Sequence, residues 1–581
     1  MSSSFHRSFF FELSPSDLLR SSLLLSLFVL FAGGSPAPCQ AQSTDPVIDV
    51  QHYTFSLRLN DADNSITGKT TIKVQFVKDA GSFTLDLVRK NAAGKGMTVG
   101  SVKEDSRSLR FTQDSQTLLI YTTGIGRPAS GASRSKMLSE RSPSGASPAK
   151  AGSVHTYTIA YEGVPADGLI ISTNKFGHRT FFGDNWPNRA HNWLPCIDNP
   201  SDKATVDFIV TAPDHYQVVS NGREEEDTLL PDQTRRTHWH ESAPLYTSLM
   251  VIGVADFAID HTADVQGIPI YDYVFPENKS QGFRDYAIAA QILPFYIQHV
   301  GAYAYEKLAN VQSKTIFGGM ENASAIFYFE NSVGDKGIES LMAHEIAHQW
   351  FGDAVTETGW QHLWLSEGFA SYMTWLYMEN KYGRDTLNKG MAKDRKAVLA
   401  FEKKRFTPVV DTTVHNNYMQ LLNANSYQKG SWVLHMLRRR VGDSIFWKGL
   451  AGYFAAYRNG NANTGDFEKA METAGGQDLQ SFFRQWLYTA GHPSLRISRS
   501  YDPDKKWLDL QVEQKQGTLF EFPLEFSVDG VLHTLSIKDK ITRIQIPLTA
   551  PPSAVVMDPN INLLADFEIS EAKINTGSSA N

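Results

Sequence analysis

The chain has 581 residues, 41% of them hydrophobic and 20% charged, with a formal net charge of −7. Such a length supports several domains with sizeable cores, and the composition is that of a soluble globular protein, not a disordered or fibrous one. The negative balance argues against a nucleic-acid partner. At the start, His6, Arg7 and Arg20 lie before an apolar run, Leu23–Ala32, and small, turn-forming residues follow from Gly33 to Ala41. This pattern predicts a signal peptide over residues 1–41, short for a membrane span. The expected product is exported, periplasmic or extracellular, and has no stable membrane span once the leader is cut near Ala41. Glu12 and Asp17 interrupt the leader's charge pattern and leave a retained N-terminal anchor as the alternative. The two cysteines are Cys39 and Cys196. If Cys39 leaves with the leader, Cys196 has no partner and reads as a small buried hydrophobe.

Residues 44–254 read as an antiparallel β domain. Tyr53, Phe55, Leu57 and Leu59 alternate, as do Ile72, Val74 and Phe76, then Phe83, Leu85 and Leu87, with turn clusters such as Asp61–Asn64 between them. Residues 124–152 are rich in Ser, Gly, Pro, Ala and Arg and read as a disordered insertion. Strands resume at Val154. His178, His191 and His215 have no metal-ligand spacing to one another.

From about Ala255 to residue 493 the pattern becomes mixed α/β. Asp285–Ala302 reads as a helix and Asn310–Ile316 as a strand. That strand leads into the turn Gly318-Gly319-Met320-Glu321-Asn322, where glycines let a peptide backbone approach closely. Next comes Ile338–Trp350, IESLMAHEIAHQW, which holds His344, Glu345 and His348 in the spacing H-E-x-x-H. On a helix, residues four apart lie one turn above each other, so His344 and His348 can hold one zinc ion. Ile338, Met342, Ile346 and Trp350 recur every fourth residue on another face, suited to a core. Glu345 stands beside the metal face, where a general base for water activation is needed. The other reading is of two histidines satisfied inside a buried helix. Glu367 weighs against it: eighteen residues separate this carboxylate from His348, and it lies in the apolar run LWLSEGFASYMTWLYM. A carboxylate there is expensive unless it is paired or bound to metal. His344, His348 and Glu367 therefore form the candidate zinc triad, with one ion per chain.

Farther on, Asp385–Glu402 reads as helical. Tyr427 heads an apolar helix with Trp432, Val433, Leu434, Met436 and Leu437, a pattern that by itself means packing. Phe467–Leu487 reads as a helix ended by Gly491-His492-Pro493. Over 494–575 alternation returns, as in Leu508, Leu510 and Val512, and predicts a small β-sandwich.

HEIAHQWFGD together with the Glu of LSEGFASY resembles the gluzincin aminopeptidases, the group of aminopeptidase N and leukotriene hydrolase. Gly318–Asn322 is similar to that family's G-x-M-E-N motif, and Asn425–Arg438 (NSYQKGSWVLHMLR) to the segment carrying its catalytic tyrosine. The resemblance implies a thermolysin-like catalytic domain and substrate-binding roles for Gly318, Gly319, Met320, Glu321 and Asn322. Glu321 would meet the substrate's ammonium group, and Tyr427 would stabilise the oxyanion. A block near Cys196 is similar to the family's F-P-C-x-D-x-P, with Leu194 replacing the aromatic. Relatives place a second amine ligand about ten residues before that Cys. Here the position is Trp186, a departure for which Asp184 or Asn185 could substitute only if the loop shifts. No large helical C-terminal domain is expected.

The resulting expectation is an α+β multidomain zinc metallopeptidase acting on peptides with a free N-terminus, with Glu345 and Tyr427 as catalytic residues. The alternatives are an endopeptidase or epoxide hydrolase on the same site and, from another class, a non-catalytic peptide-binding protein of the same fold.

Overall fold

The computed structural model describes residues 46–123 and 148–571. The expected leader, its run Leu23–Ala32, Cys39 and residues 124–147 of the expected insertion lie outside the described residues. The insertion's described end returns to the sheet through a bridge between Ala149 and Ala80.

Alternating apolar residues build the first layer. In the strand Ile48–Arg58, Val50, Tyr53, Phe55 and Leu57 are buried, and a bulge between Val50 and His52 keeps them on one face. Each such aromatic contributes roughly 1.5–3 kcal/mol by leaving water. The strand lies inside an eight-stranded sheet, between Ile66–Phe76 and Ala204–Pro213. Its pairing with Ala204–Pro213 is parallel, while its pairing with Ile66–Phe76 is antiparallel. The expected antiparallel domain is thus a mixed sheet at this pair. Two strands so distant in sequence are joined by a long excursion, which permits a parallel pairing that no hairpin can make.

The second layer is a five-stranded sheet ordered Ala258–Val265, Ile268–Val274, Leu308–Ser313, Ala325–Phe329, Gly319–Met320. Leu308–Ser313 is buried at every residue and pairs in parallel on both sides, as expected of a strand covered on both faces. It ends at Ser313, short of the expected Ile316. Gly319–Met320 forms the sheet's edge. Helices follow: Lys279–Tyr286, Ala289–His299, Ile338–His348, Trp364–Tyr382, Arg384–Glu402 and Gly430–Val441.

Two expected helices are each split. Asp285–Ala302 corresponds to the end of one helix and the whole of Ala289–His299, separated at residues 287–288. Phe467–Leu487 divides into Thr464–Gly475 and Gln480–Leu487. There Gly476 adopts φ 64° and its N–H closes the first helix on the Glu472 carbonyl, a left-handed cap that stops propagation. Beyond residue 493, strands form one four-stranded and one three-stranded sheet. No helix among the described residues is long and apolar enough to cross a membrane.

Candidate metal centre and active site

The helix Ile338–His348 buries Ile338, Met342 and Ile346, with Trp350 just beyond it. This anchored face turns His344 and His348 toward the helix Trp364–Tyr382, whose first turn carries Glu367. The Nε2 atoms of the two histidines are 3.0 Å apart. Each is 3.3 Å from Glu367 Oε2. Ligand atoms at three corners of a tetrahedron around zinc stand about 3.3 Å apart for bonds of about 2.05 Å. Glu367 Oε2 is buried and otherwise lacks a hydrogen-bond partner. The donor set and its spacing fit zinc.

The electrostatics agree. Burial disfavours charge on Glu367, but His348 and His344 overcome it and pull its pKa down to about 2. Burial likewise disfavours the imidazolium of His348, yet the Glu321 and Glu367 carboxylates raise its pKa well above the ordinary value. Burial lowers that of His344. The pocket thus calls for a cation, and a metal ion would displace protons as it binds.

Three glycines bring the remaining groups in. A Cβ on Gly319 would lie 2.2 Å from Glu345 Oε1, so the edge strand passes directly over the Glu345 carboxylate. Gly368 and Gly430 meet backbone to backbone, a Cβ on Gly368 falling 2.8 Å from Gly430 Cα. That crossing places Tyr427, three residues before Gly430, with its hydroxyl donating to Glu367 Oε1 at 2.7 Å. Tyr427 lies in a π-helical turn, Asn425–Lys429, of a kind frequent at functional sites.

The geometry brings His344, His348 and Glu367 together with Glu321, Glu345, Gly319 and Tyr427. Carboxylate oxygens of Glu321 and Glu345 and a ring nitrogen of His348 lie within 4.8 Å of one another. Burial raises the pKa of Glu345 well above the carboxylate range and raises that of Glu321. Gly318 accepts from Phe329 N–H at 3.0 Å, and Gly319–Met320 pairs with Phe327–Tyr328, which keeps the strand's other edge for an extended ligand. Asn322 is fully buried, and its carbonyl closes the turn on Ala325 N–H.

In the loop before Cys196 the side chains of Asp184 and Asn185 are engaged with other partners. Asp184 pairs with Arg189 and accepts from Ile316 N–H and Thr315 Oγ1. Asn185 donates to the Met250 carbonyl and accepts from Trp193 Nε1. Trp186 packs edge-on against Phe317 and Trp360. His178, His191 and His215 pair with Glu277, Asp198 and Asp61, away from the triad. Cys196 is buried and free.

The profile of the Peptidase family M1 domain matches residues 285–486, which include the triad, Glu345 and Tyr427. That of the Peptidase M1 N-terminal domain matches residues 144–249. The chain belongs to the M1 peptidase family. Similar proteins include glutamyl aminopeptidase of Homo sapiens, 26% identical over 385 residues, covering 62% of this chain and 40% of that protein. Probable aminopeptidase 1 of Sulfurisphaera tokodaii is 24% identical over 513 residues, covering 84% of this chain and 59% of that protein. Aminopeptidase 2 of Candida albicans is 28% identical over 326 residues, covering 54% of this chain and 35% of that protein. The chain therefore spans less than two thirds of the length of these relatives.

Within this M1 peptidase, motif reading missed the groups that orient the candidate metal ligands. His348 Nδ1 lies 3.1 Å from the Phe351 carbonyl and 3.0 Å from Ser366 Oγ. The carbonyl can only accept, so Nδ1 carries a proton and Nε2 is the nitrogen that would face a metal ion. Gly352 makes room: at its φ of +116°, a Cβ would lie 2.3 Å from Ser366 Oγ. The glycine following Trp350-Phe351 was the available signal, but its partner Ser366 is identifiable only in three dimensions.

Proposed function

We propose that this M1 peptidase is an exported zinc-dependent aminopeptidase that removes N-terminal residues from peptides. The observation that carries the reading is the convergence of His344, His348 and Glu367 at zinc-ligand spacing, with Glu345 and Glu321 beside them. Zinc held there supplies Lewis acidity and lowers the pKa of the water it binds. The Glu345 carboxylate takes a proton from the attacking water and later passes one to the leaving amine. The Tyr427 hydroxyl, poised at Glu367, turns to donate to the oxyanion forming on the scissile carbonyl. The Glu321 carboxylate pairs with the substrate's ammonium group, and the edge Gly319–Met320 holds its backbone as an added strand. Together they set the first peptide bond against Glu345.

In this reading, residues 44–254 form the N-terminal β domain, 255–493 a thermolysin-like catalytic domain, and 494–575 a C-terminal β-sandwich. Export rests on the run Leu23–Ala32, and the mature chain starts near Gln42. N-terminal sequencing of protein recovered from cell fractions tests that point, and an intact Met1 in a cytosolic fraction would reject it.

The activity is tested by comparing kcat/KM for a short peptide with a free amino terminus and for its acetylated twin, with and without a chelator. The free peptide is expected to be cleaved faster, and the chelator to abolish cleavage. Equal cleavage of both would make the enzyme an endopeptidase. Binding of the free peptide without cleavage would make the protein a peptide-binding module.

A further inference from the structure

We propose that Gln349 is a positioning residue that fixes the distance between the amine-binding carboxylate and the metal centre. The proposal rests on the reading of Glu321 as the amine ligand. Gln349 directly follows His348 and is fully buried, which is uncommon for glutamine. A carboxamide offers two donor hydrogens and an oxygen with two lone pairs. Here all four are used. Nε2 donates to the Glu321 carbonyl at 2.7 Å and to Asp353 Oδ2 at 2.7 Å. Oε1 accepts from Ser324 N–H at 2.8 Å and, at 3.1 Å, shares the single proton of the Tyr303 hydroxyl with the Lys307 carbonyl 3.0 Å from that hydroxyl. The Glu321 carbonyl can only accept and the Ser324 N–H can only donate, so these two backbone groups fix the orientation of the amide.

Two of these four partners are backbone groups of one turn, at its first and last residues. Glu321 opens the turn and Ser324 closes it with φ 62°, a left-handed conformation that a serine adopts only when held there. Lys307, whose Nζ donates to the Ser324 carbonyl at 3.1 Å and the Ser220 carbonyl at 2.7 Å, secures the far side. On the near side Gln349 is the link. It ties the backbone of the amine-binding residue to the residue beside a metal ligand. The spacing between ammonium and reacting carbonyl is therefore set by one rigid carboxamide. Gln349 touches neither substrate nor metal. It acts through Glu321.

The test compares kcat/KM for a free peptide and its acetylated twin, with zinc content, in wild type, Gln349→Met, Gln349→Glu and Tyr303→Phe. Gln349→Met keeps the volume and removes all four bonds. It should retain about one zinc per chain and lower the free-to-acetylated ratio by at least ~10-fold, chiefly through a higher KM for the free peptide. Gln349→Glu keeps the acceptor oxygen but turns a second oxygen toward the Glu321 carbonyl and Asp353. It should lower the ratio as well, and it carries the test if the Met variant fails to fold. Tyr303→Phe removes one bond of the four and should leave the ratio within about twofold. A ratio unchanged in both Gln349 variants, or a parallel loss on both peptides, overturns the proposal. A wild type that does not discriminate defeats the Glu321 reading instead.

Discussion

Glu345 is buried and Tyr427 half-buried, both near negative charge, and the roles proposed for them separate by what each can give. In the proposed mechanism Glu345 exchanges a proton, and Tyr427 donates a hydrogen bond without ionising, since burial and the Glu367 charge raise its pKa well above the ordinary value. Glu345→Gln keeps the side chain's shape and should retain zinc while kcat falls at least ~10²-fold. Near-normal turnover with zinc bound would remove Glu345 from the chemistry. Tyr427→Phe should lower kcat on the order of 10²-fold with little change in KM, because an oxyanion donor acts in the transition state. Steady-state kinetics on one good substrate check both. The triad and Glu345 were legible as residues because two histidines four apart on a helix can only share a face. Ser366 and the Phe351 carbonyl were not, because second partners of a ligand follow from packing and not from spacing.

Helix crossings carry the next level. Gly368 and Gly430 allow two helices to touch at backbone distance, and this contact delivers Tyr427 to Glu367. Gly368→Ala should force the crossing open, costing about 1–3 kcal/mol, and should reduce kcat because Tyr427 moves away. Thermal melting and kcat measured together check it, and a loss of stability with kcat intact would separate the crossing from catalysis. A second contact links the helices Trp364–Tyr382 and Arg384–Glu402, where Asp394 accepts from Trp375 Nε1 at 2.7 Å. Burial raises the Asp394 pKa from 3.8 to about 7. Between these values the folded chain binds a proton that the unfolded chain has lost, so this group's contribution to stability falls as pH rises from about 4 to 7. The difference corresponds to at most on the order of 4 kcal/mol. Asp394→Asn keeps an acceptor for Trp375 without this titration. It should gain stability over wild type at pH 8 and lose the advantage at pH 5, as read from melting temperatures. An advantage independent of pH would show that Asp394 is not the titrating group.

At the scale of the whole molecule, the metal triad bridges two helices, and its ion should stabilise the fold as well as serve the chemistry. A ligand present at 1,000 times its Kd adds about 4 kcal/mol to stability. Chelation should therefore lower the melting temperature along with activity, and added zinc should restore both. A melting temperature indifferent to chelator would mean that the triad is pre-formed without an ion. The N-terminal sheet is docked on the same region: Lys203 Nζ donates to the carbonyls of Asp353, Ala354 and Gly460 at 2.9–3.1 Å. Burial lowers its pKa to about 7. No motif marks this lysine, since its partners are backbone carbonyls more than 150 residues away or nearly so.

The sequence by itself named the residues from which the candidate site is built. H-E-x-x-H, the apolar setting of Glu367 and the glycine-rich turn ending in Glu321 each state a local requirement that spacing alone expresses. Strand periodicity likewise placed the β-rich and helical regions. What only the tertiary structure decided was how these pieces meet: the parallel pairing of Ile48–Arg58 with Ala204–Pro213, the left-handed stop at Gly476 and the Gly368–Gly430 crossing. To these it added the four bonds of Gln349 and the packing of Trp186 against Phe317 and Trp360. The physical reason is range. Helical and strand periods are set by neighbours within a few residues, whereas crossings, caps and buried hydrogen bonds depend on which distant backbone arrives to complete them.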